Sequence, residues 1–367
     1  MKKIIGTLAM AALVMGAASA QTIKLNYRTQ ANIVTVDKAK DADAAVSFFD
    51  LEKYGDAKDS FSFQLSGDSA GAYIELNPSL KDVSTVALSY YYGWLNFGNL
   101  KFTAGKFDSR YMNRVSNFGG NYNGVVGEYV KLGGLKQAKF IIDADNFGTI
   151  NGKGLHTMAA DYTFAVGESD KLLVKAAVHE SDIKINDTTT WVAASLGLGY
   201  SMKAFGTAEV IFRNTAKDTY VFGAYLRPNA LVKNLDAVAG FTLGMGKDSA
   251  DKSVTEMGID ARAQYKINDV FSVATNMNFT QYQNEKWGMW IAGNATYKMN
   301  DVVTGKLTGS YIDESEAKAN EKTVNGLLGA EFTATKNATI STGVEVRYNL
   351  DTEGMKLYVP CILRVKL

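Results

Sequence analysis

The strongest constraint on this chain is a period of two that runs on for longer than ordinary strands do. From Met257 to Tyr265 the odd positions are Met, Ile, Ala, Ala and Tyr, and the even ones are Gly, Asp, Arg and Gln. The next stretch repeats this, with Phe271, Val273, Met277 and Phe279 on one side and Ser272, Asn276, Asn278 and Thr280 on the other. Ala338, Ile340, Val344, Val346 and Tyr348 alternate with Ser341, Gly343, Glu345 and Arg347. Ala208, Val210 and Phe212 alternate with Thr207, Glu209 and Arg213; Thr342 and Ile211 are lapses in these last two runs. Successive side chains of a strand point to opposite faces, so each stretch predicts a strand with one apolar and one polar face.

Alternation also describes a soluble sandwich. Length separates the two. The stretches run for about 9 to 12 residues, close to the roughly 9 to 11 that a tilted strand needs to cross the hydrocarbon of a bilayer, whereas ordinary strands average about 5 to 6. About twenty begin between Thr22 and Lys356, two of them near Asn123 and Gln137. Tight turns at 66–68, 97–99, 202–203, 268–269, 300–301 and 336–337 alternate with longer polar loops at 108–121, 180–189, 246–253, 312–321 and 350–354. A first long external segment spans 37–58. Short turns at one end and long loops at the other belong to an outer-membrane barrel. Tyr200, Tyr265, Tyr297 and Phe332 end the stretches that run toward the short turns, and Phe279, Tyr311 and Tyr348 end those that run toward the loops, which predicts two aromatic girdles. The expected fold is all-β, a transmembrane antiparallel up-and-down barrel with an even number of strands, roughly 16 to 20.

The N-terminus fits an exported chain. Lys2 and Lys3 precede an apolar run over 4–15, and Ala18, Ser19 and Ala20 follow it. This is the pattern of a secretory signal peptide cut after Ala20. The expected organisation is a signal peptide over 1–20, read by the Sec export pathway, and a single barrel domain over 21–367. Gln21 follows the cut, so a lipid anchor on cysteine is not expected. The leader holds two of 39 Lys+Arg residues against 38 Asp+Glu, which leaves the remainder near neutral and gives no reason to expect nucleic acid. Cys361 is the single cysteine, so no internal disulfide framework is possible. Three prolines, Pro78, Pro228 and Pro360, suit a chain given over to hydrogen-bonded ladders.

The polar side of the alternation carries charge of both signs. Lys101, Glu209, Arg213, Asp260, Arg262, Lys306, Glu331, Glu345, Arg347, Arg364 and Lys366 fall there and are read as lumen-facing. Burying so many charges without solvent is very costly, so they imply water inside the barrel. Asp260 with Arg262 and Glu345 with Arg347 are candidate wall-bracing pairs.

The segment from Tyr91 through Gly93, Trp94, Phe97, Gly98 and Phe102 to Gly105, Lys106 and Phe107 resembles the strand, turn and strand that precede the pore-constricting third loop of general bacterial outer-membrane porins. The resemblance implies a passive diffusion channel for small hydrophilic solutes and ions, set in outer-membrane lipid and associated as a homotrimer. It also implies that 108–121 folds into the lumen and that Arg110 and Arg114 face the permeating solute. The chain departs from that family in ending on Leu367 and not on phenylalanine, and in carrying Pro360 inside its last strand. Tyr90, Tyr91 and Tyr92 are read as part of a girdle in preference to a sugar-stacking surface.

Other classes find less support. His156 and His179 are the only histidines. His179, Glu180 and Ser181 are adjacent, so in an extended strand they cannot converge into a relay; no catalytic residue is assigned. One cysteine and two histidines offer no clustered metal-ligand motif, and Gly119–Gly120 lacks the further glycines and lysine of a phosphate loop, so neither metal nor cofactor is expected. The main alternative is a barrel adhesin or surface antigen acting through its external loops. A transporter of hydrophobic solutes would want an apolar N-terminal plug, and 21–32 is polar and alternating.

Overall fold

A computed structural model of the chain describes residues 22–50, 59–78, 86–106, 157–179, 193–216, 219–247, 251–282, 286–314 and 322–367. Among these residues every regular element is a strand. In chain order they are β1 (Thr22–Lys38), β2 (Ala45–Asp50), β3 (Ser60–Ser66), β4 (Ala70–Pro78), β5 (Val86–Phe97), β6 (Leu100–Lys106), β7 (Thr157–Val166), β8 (Asp170–His179), β9 (Ala193–Met202) and β10 (Gly206–Ala216). They continue with β11 (Thr219–Arg227), β12 (Leu235–Lys247), β13 (Ser253–Lys266), β14 (Phe271–Gln281), β15 (Trp287–Lys298), β16 (Val303–Asp313), β17 (Lys322–Thr335), β18 (Ala338–Asn349) and β19 (Gly354–Lys366).

From β3 onward each strand pairs antiparallel with the next, and β19 pairs back onto β1. On its other side β1 meets two strands: Thr22–Arg28 lies opposite β3, and Asn32–Asp37 lies opposite β2. β2 and β3 therefore share one place in the wall, which closes as an 18-strand barrel. The pairing of β19 with β1 joins the two borders of the sheet, as a membrane-spanning sheet requires. The strands expected near Asn123 and Gln137 lie outside the described residues, as do the leader and 108–121.

The connections 67–69, 98–99, 167–169, 203–205, 267–270, 299–302 and 336–337 lie at one end of the barrel, with Thr22 and Leu367. Two of them are built alike. In Ile267-Asn268-Asp269-Val270 the Asn268 Oδ1 accepts from the backbone N–H groups of Val270 and Phe271, at 2.9 and 2.8 Å. In Met299-Asn300-Asp301-Val302 the Asn300 Oδ1 accepts from Val302 and Val303 at the same two distances. An asparagine that bonds the backbone two residues on closes a turn without help from the rest of the fold.

Three expectations need correction. The external segment 37–58 is partly wall, because β1 continues to Lys38 and 45–50 forms β2. The connection 228–234 is long although it lies at the short-turn end; Ala230 donates its N–H to the Phe205 carbonyl at 3.1 Å, and Arg227 forms a bidentate pair with Asp236 at 2.8 and 2.9 Å, fixing both of its ends. Pro360 does not end the last strand. It lies opposite Asn32 where β1 bulges at Ile33, and the β18 ladder skips from Thr342–Cys361 to Glu345–Tyr358, so the missing N–H falls where the ladder is open.

The wall is apolar outside and polar inside. Large exposed side chains of the outer face include Leu198, Ile259, Leu307, Leu328 and Val344. Tyr200, Tyr265, Tyr297 and Phe332 stand on this face at the short-turn end, and Phe279, Tyr311 and Tyr348 at the loop end. The buried set is mostly polar and includes Asn276, Asn278, Thr280, Asn294, Thr308 and Ser341. A water-soluble fold buries its apolar face; this one exposes it, which is the arrangement of a barrel solvated by lipid.

Candidate functional site

In a closed barrel the inner face is the surface past which a solute travels. The ladders place Lys101, Glu209, Arg262, Lys306, Glu331, Glu345, Arg347, Arg364 and Lys366 on that face, in phase with the buried polar residues of their strands. Arg213 lies opposite Ser195 and Val221, and Asp260 opposite Gly240 and Asn278. Arg110 and Arg114 lie outside the described residues.

Many of these charges are covered and not bathed in water, contrary to the expectation drawn from their number. Arg262 is 2% exposed and Glu345 1%. Their surroundings explain how burial is tolerated. Lys175 of β8 reaches Glu209 of β10 at 3.8 Å, across the intervening β9, whose inner positions opposite them are Gly197 and Gly199. Lys306 approaches Glu331 at 3.5 Å, and the Ser341 hydroxyl donates to the same carboxylate at 3.2 Å. Arg347 pairs with Glu345 and lays its guanidinium over the Tyr358 ring, 4.7 Å from the centroid. Arg364 donates to Asn26 Oδ1 at 3.3 Å across the β1–β19 seam. Buried charges held by opposite charges and hydrogen bonds brace the wall.

Apolar groups join them. Trp290 packs with Ile312, and Leu327 with Ile362 and Tyr358. The lapse at Ile211 has the same origin: it is a buried residue of the inner face, on which the Gly223 backbone and Tyr225 also lie. The lapse at Thr342 has a different one, since Thr342 keeps the outer phase of β18.

Along β4 and β5 no inward-facing residue is buried. Here the structure corrects the reading of Tyr90–Tyr92 as girdle. Tyr92 pairs with Tyr73 on β4 and with Gly105 on β6, and Tyr90 pairs with Glu75, so Tyr90 and Tyr92 face inward and only Tyr91 faces out. Tyr73 and Tyr92 have ring centroids 5.2 Å apart, and Tyr92 and Trp94 5.9 Å. The Tyr73 hydroxyl donates to Glu75 at 2.8 Å, and the exposed Lys101 ammonium stands 5.6 Å from the Trp94 ring. Trp94 lies flat across Gly71, where any Cβ would overlap the indole. Hydropathy could not have found this row, because aromatic residues occupy both faces of β5; only its register to β4 and β6 separates them. Among the described residues no group of three metal-ligating side chains occurs.

Neither a family model nor a curated protein sequence matches the chain. Solved structures do. The anion-selective porin from Comamonas acidovorans is 10% identical and aligns over 95% of this chain and 100% of its own, with a TM-score of 0.57. The outer membrane channel DcaP of Acinetobacter baumannii is 15% identical over 96% of this chain and 98% of its own, with a TM-score of 0.48. The outer membrane protein OmpT of Vibrio cholerae is 11% identical over 95% and 99%, with a TM-score of 0.49. The likeness to the Comamonas protein, over nearly the full length of both chains, shows that this chain has the fold of a bacterial outer-membrane porin.

Proposed function

We propose that this protein is a porin of the bacterial outer membrane, a passive diffusion channel for small hydrophilic solutes and ions. The observation that carries the reading is the inside-out wall: lipid-suited side chains between two aromatic bands outside, polar and charged side chains within. A barrel of about 16 to 18 strands is wide enough to hold an aqueous channel, whereas about 8 strands are filled by their own side chains. Outer-membrane lipid is then its solvent and small polar solutes its cargo, and no chemical step is required of it. The resemblance of 91–107 to the porin hairpin supports 108–121 as the constricting loop, with Arg110 and Arg114 facing the solute. The same resemblance supports a homotrimer, which chemical cross-linking of the detergent-folded protein reads directly.

Single-channel recording in a planar bilayer tests the function, with the barrel intact and with 108–121 shortened. Discrete, long-lived steps that grow on shortening are expected. A protein that inserts and gives no steps in either form overturns the reading.

A further inference from the structure

We infer that the connections 228–234, 267–270 and 299–302 form one apolar lip that is sunk into the headgroup layer of the periplasmic leaflet, where it binds glycerophospholipid. The inference rests on the outer-membrane reading above, in which the short-turn end faces the periplasm. Leu231, Val232, Ile267, Val270, Met299 and Val302 are between 43% and 60% exposed. The turns 67–69, 98–99, 167–169 and 336–337 of the same rim contain only glycine and polar residues. Apolar side chains gathered on one sector of an otherwise polar rim mark a contact surface. The lip is one piece: the Asn234 carbonyl accepts from the Lys266 N–H at 3.0 Å, and the Val270 carbonyl from the Lys298 N–H at 2.7 Å. The Arg227–Asp236 pair and the Ala230–Phe205 bond hold its longest member against the barrel.

The lip continues the lipid-facing wall. Ile267 and Met299 follow the outer-face tyrosines Tyr265 and Tyr297 by two residues, so they extend the outer face past the aromatic band. Met299 bends back along that face: its Cε lies 3.0 Å from the point where a Cβ on Gly305 would stand, and Gly305 is the outer-face neighbour of the inward Lys306. The polar groups decide between lipid and protein as the occupant. Asp269 and Asp301 stand exposed at the turn tips, between the apolar residues of each connection. A protein docked flat across the lip would strip water from these carboxylates, whereas a headgroup layer leaves them wet while it takes up the apolar flanks. Asp301 is held by Lys298 at 2.7 Å, and the exposed Lys233 ammonium beside Val232 suits a lipid phosphate.

The test is fluorescence quenching by lipid. In a Cys361→Ser background a single environment-sensitive fluorophore is attached at Leu231→Cys, Met299→Cys, Ser169→Cys, Lys336→Cys or Leu328→Cys, the last of these on the outer wall. Each full-length protein is folded in detergent and transferred to vesicles of phosphatidylethanolamine and phosphatidylglycerol that carry a nitroxide at the glycerol end of an acyl chain. The nitroxide should quench Leu231→Cys and Met299→Cys at least threefold more than Ser169→Cys and Lys336→Cys. If Leu328→Cys is quenched but either lip site is quenched no more than Ser169→Cys and Lys336→Cys, the inference is overturned and the barrel stays in its membrane. That result covers both a lip standing in water, open to a periplasmic protein, and a rim immersed all round. If Leu328→Cys is not quenched, the wall has no lipid around it, and the outer-membrane reading falls together with the lip.

Discussion

Gly240 has no side chain because the Tyr225 ring occupies the space, as Trp94 does over Gly71. Glycine on this inner wall is a receptacle for a flat neighbour. Gly240→Ala should therefore destabilise the barrel by about 1–3 kcal/mol through overpacking, measured by urea unfolding of the detergent-folded protein. The Lys175–Glu209 pair behaves in the opposite sense, since each partner compensates the other. Lys175→Met should cost roughly 3–5 kcal/mol by leaving the Glu209 carboxylate buried without its cation, and Lys175→Met with Glu209→Gln should recover most of that. A double variant no more stable than the single one would show that the pair contributes little. At this scale phase alone placed Lys101, Glu209, Arg262 and Glu345 on the polar face. It did not reveal that Ile211, Leu327 and Ile362 share that face, because an apolar residue out of phase looks like noise until its neighbours are known. Nor did it reveal which charges are covered, a property of residues brought together from distant strands.

Hairpins were legible where a turn residue carries its own geometry. Asn268 and Asn300 each close a turn with two bonds to the backbone, so the short connections after β13 and β15 could be read from Asn-Asp alone. Asn300→Ala should lower stability by about 1–2 kcal/mol, since a typical intramolecular hydrogen bond contributes about 1 kcal/mol net, and Asn268→Ala by a similar amount. Irregularities were not legible. The bulge between Glu75 and Leu76 sets Leu76 opposite Leu88 and leaves Ser89 as the extra residue of β5, which changes the phase of that strand partway along. A single extra residue exchanges the two faces of everything beyond it, and no residue type announces it. The same holds at Ile33, where the bulge in β1 accommodates Pro360.

Across the whole molecule, strand length and alternation sufficed for an even-numbered transmembrane barrel, and the closed wall falls within the expected range. The division of one wall place between β2 and β3 was not foreseen, because nothing local distinguishes a short strand inside a long loop from the loop itself. The outer face makes a depth-dependent prediction. Leu328, 69% exposed midway along β17, should tolerate arginine poorly, at about 2–4 kcal/mol, whereas Tyr297 in the aromatic band should tolerate it at about 0–1 kcal/mol. Unfolding measured in lipid vesicles separates the two, and equal costs would argue that no hydrocarbon belt surrounds this wall.

The seam between β1 and β19 has a kinetic meaning as well. Leu25 and Leu367 exchange backbone hydrogen bonds at 2.8 and 2.7 Å, and Arg364 reaches Asn26 across almost the entire sequence. Among the described residues the other pairings join strands that follow one another in order, β1 and β3 with only β2 between them, and can zip long before the chain is complete. This one must wait for the last strand. Until then the curled sheet carries two unsatisfied borders, at the moment when lipid offers nothing to bond them. The slowest and most exposed stage of assembly is therefore the joining of the chain's two ends.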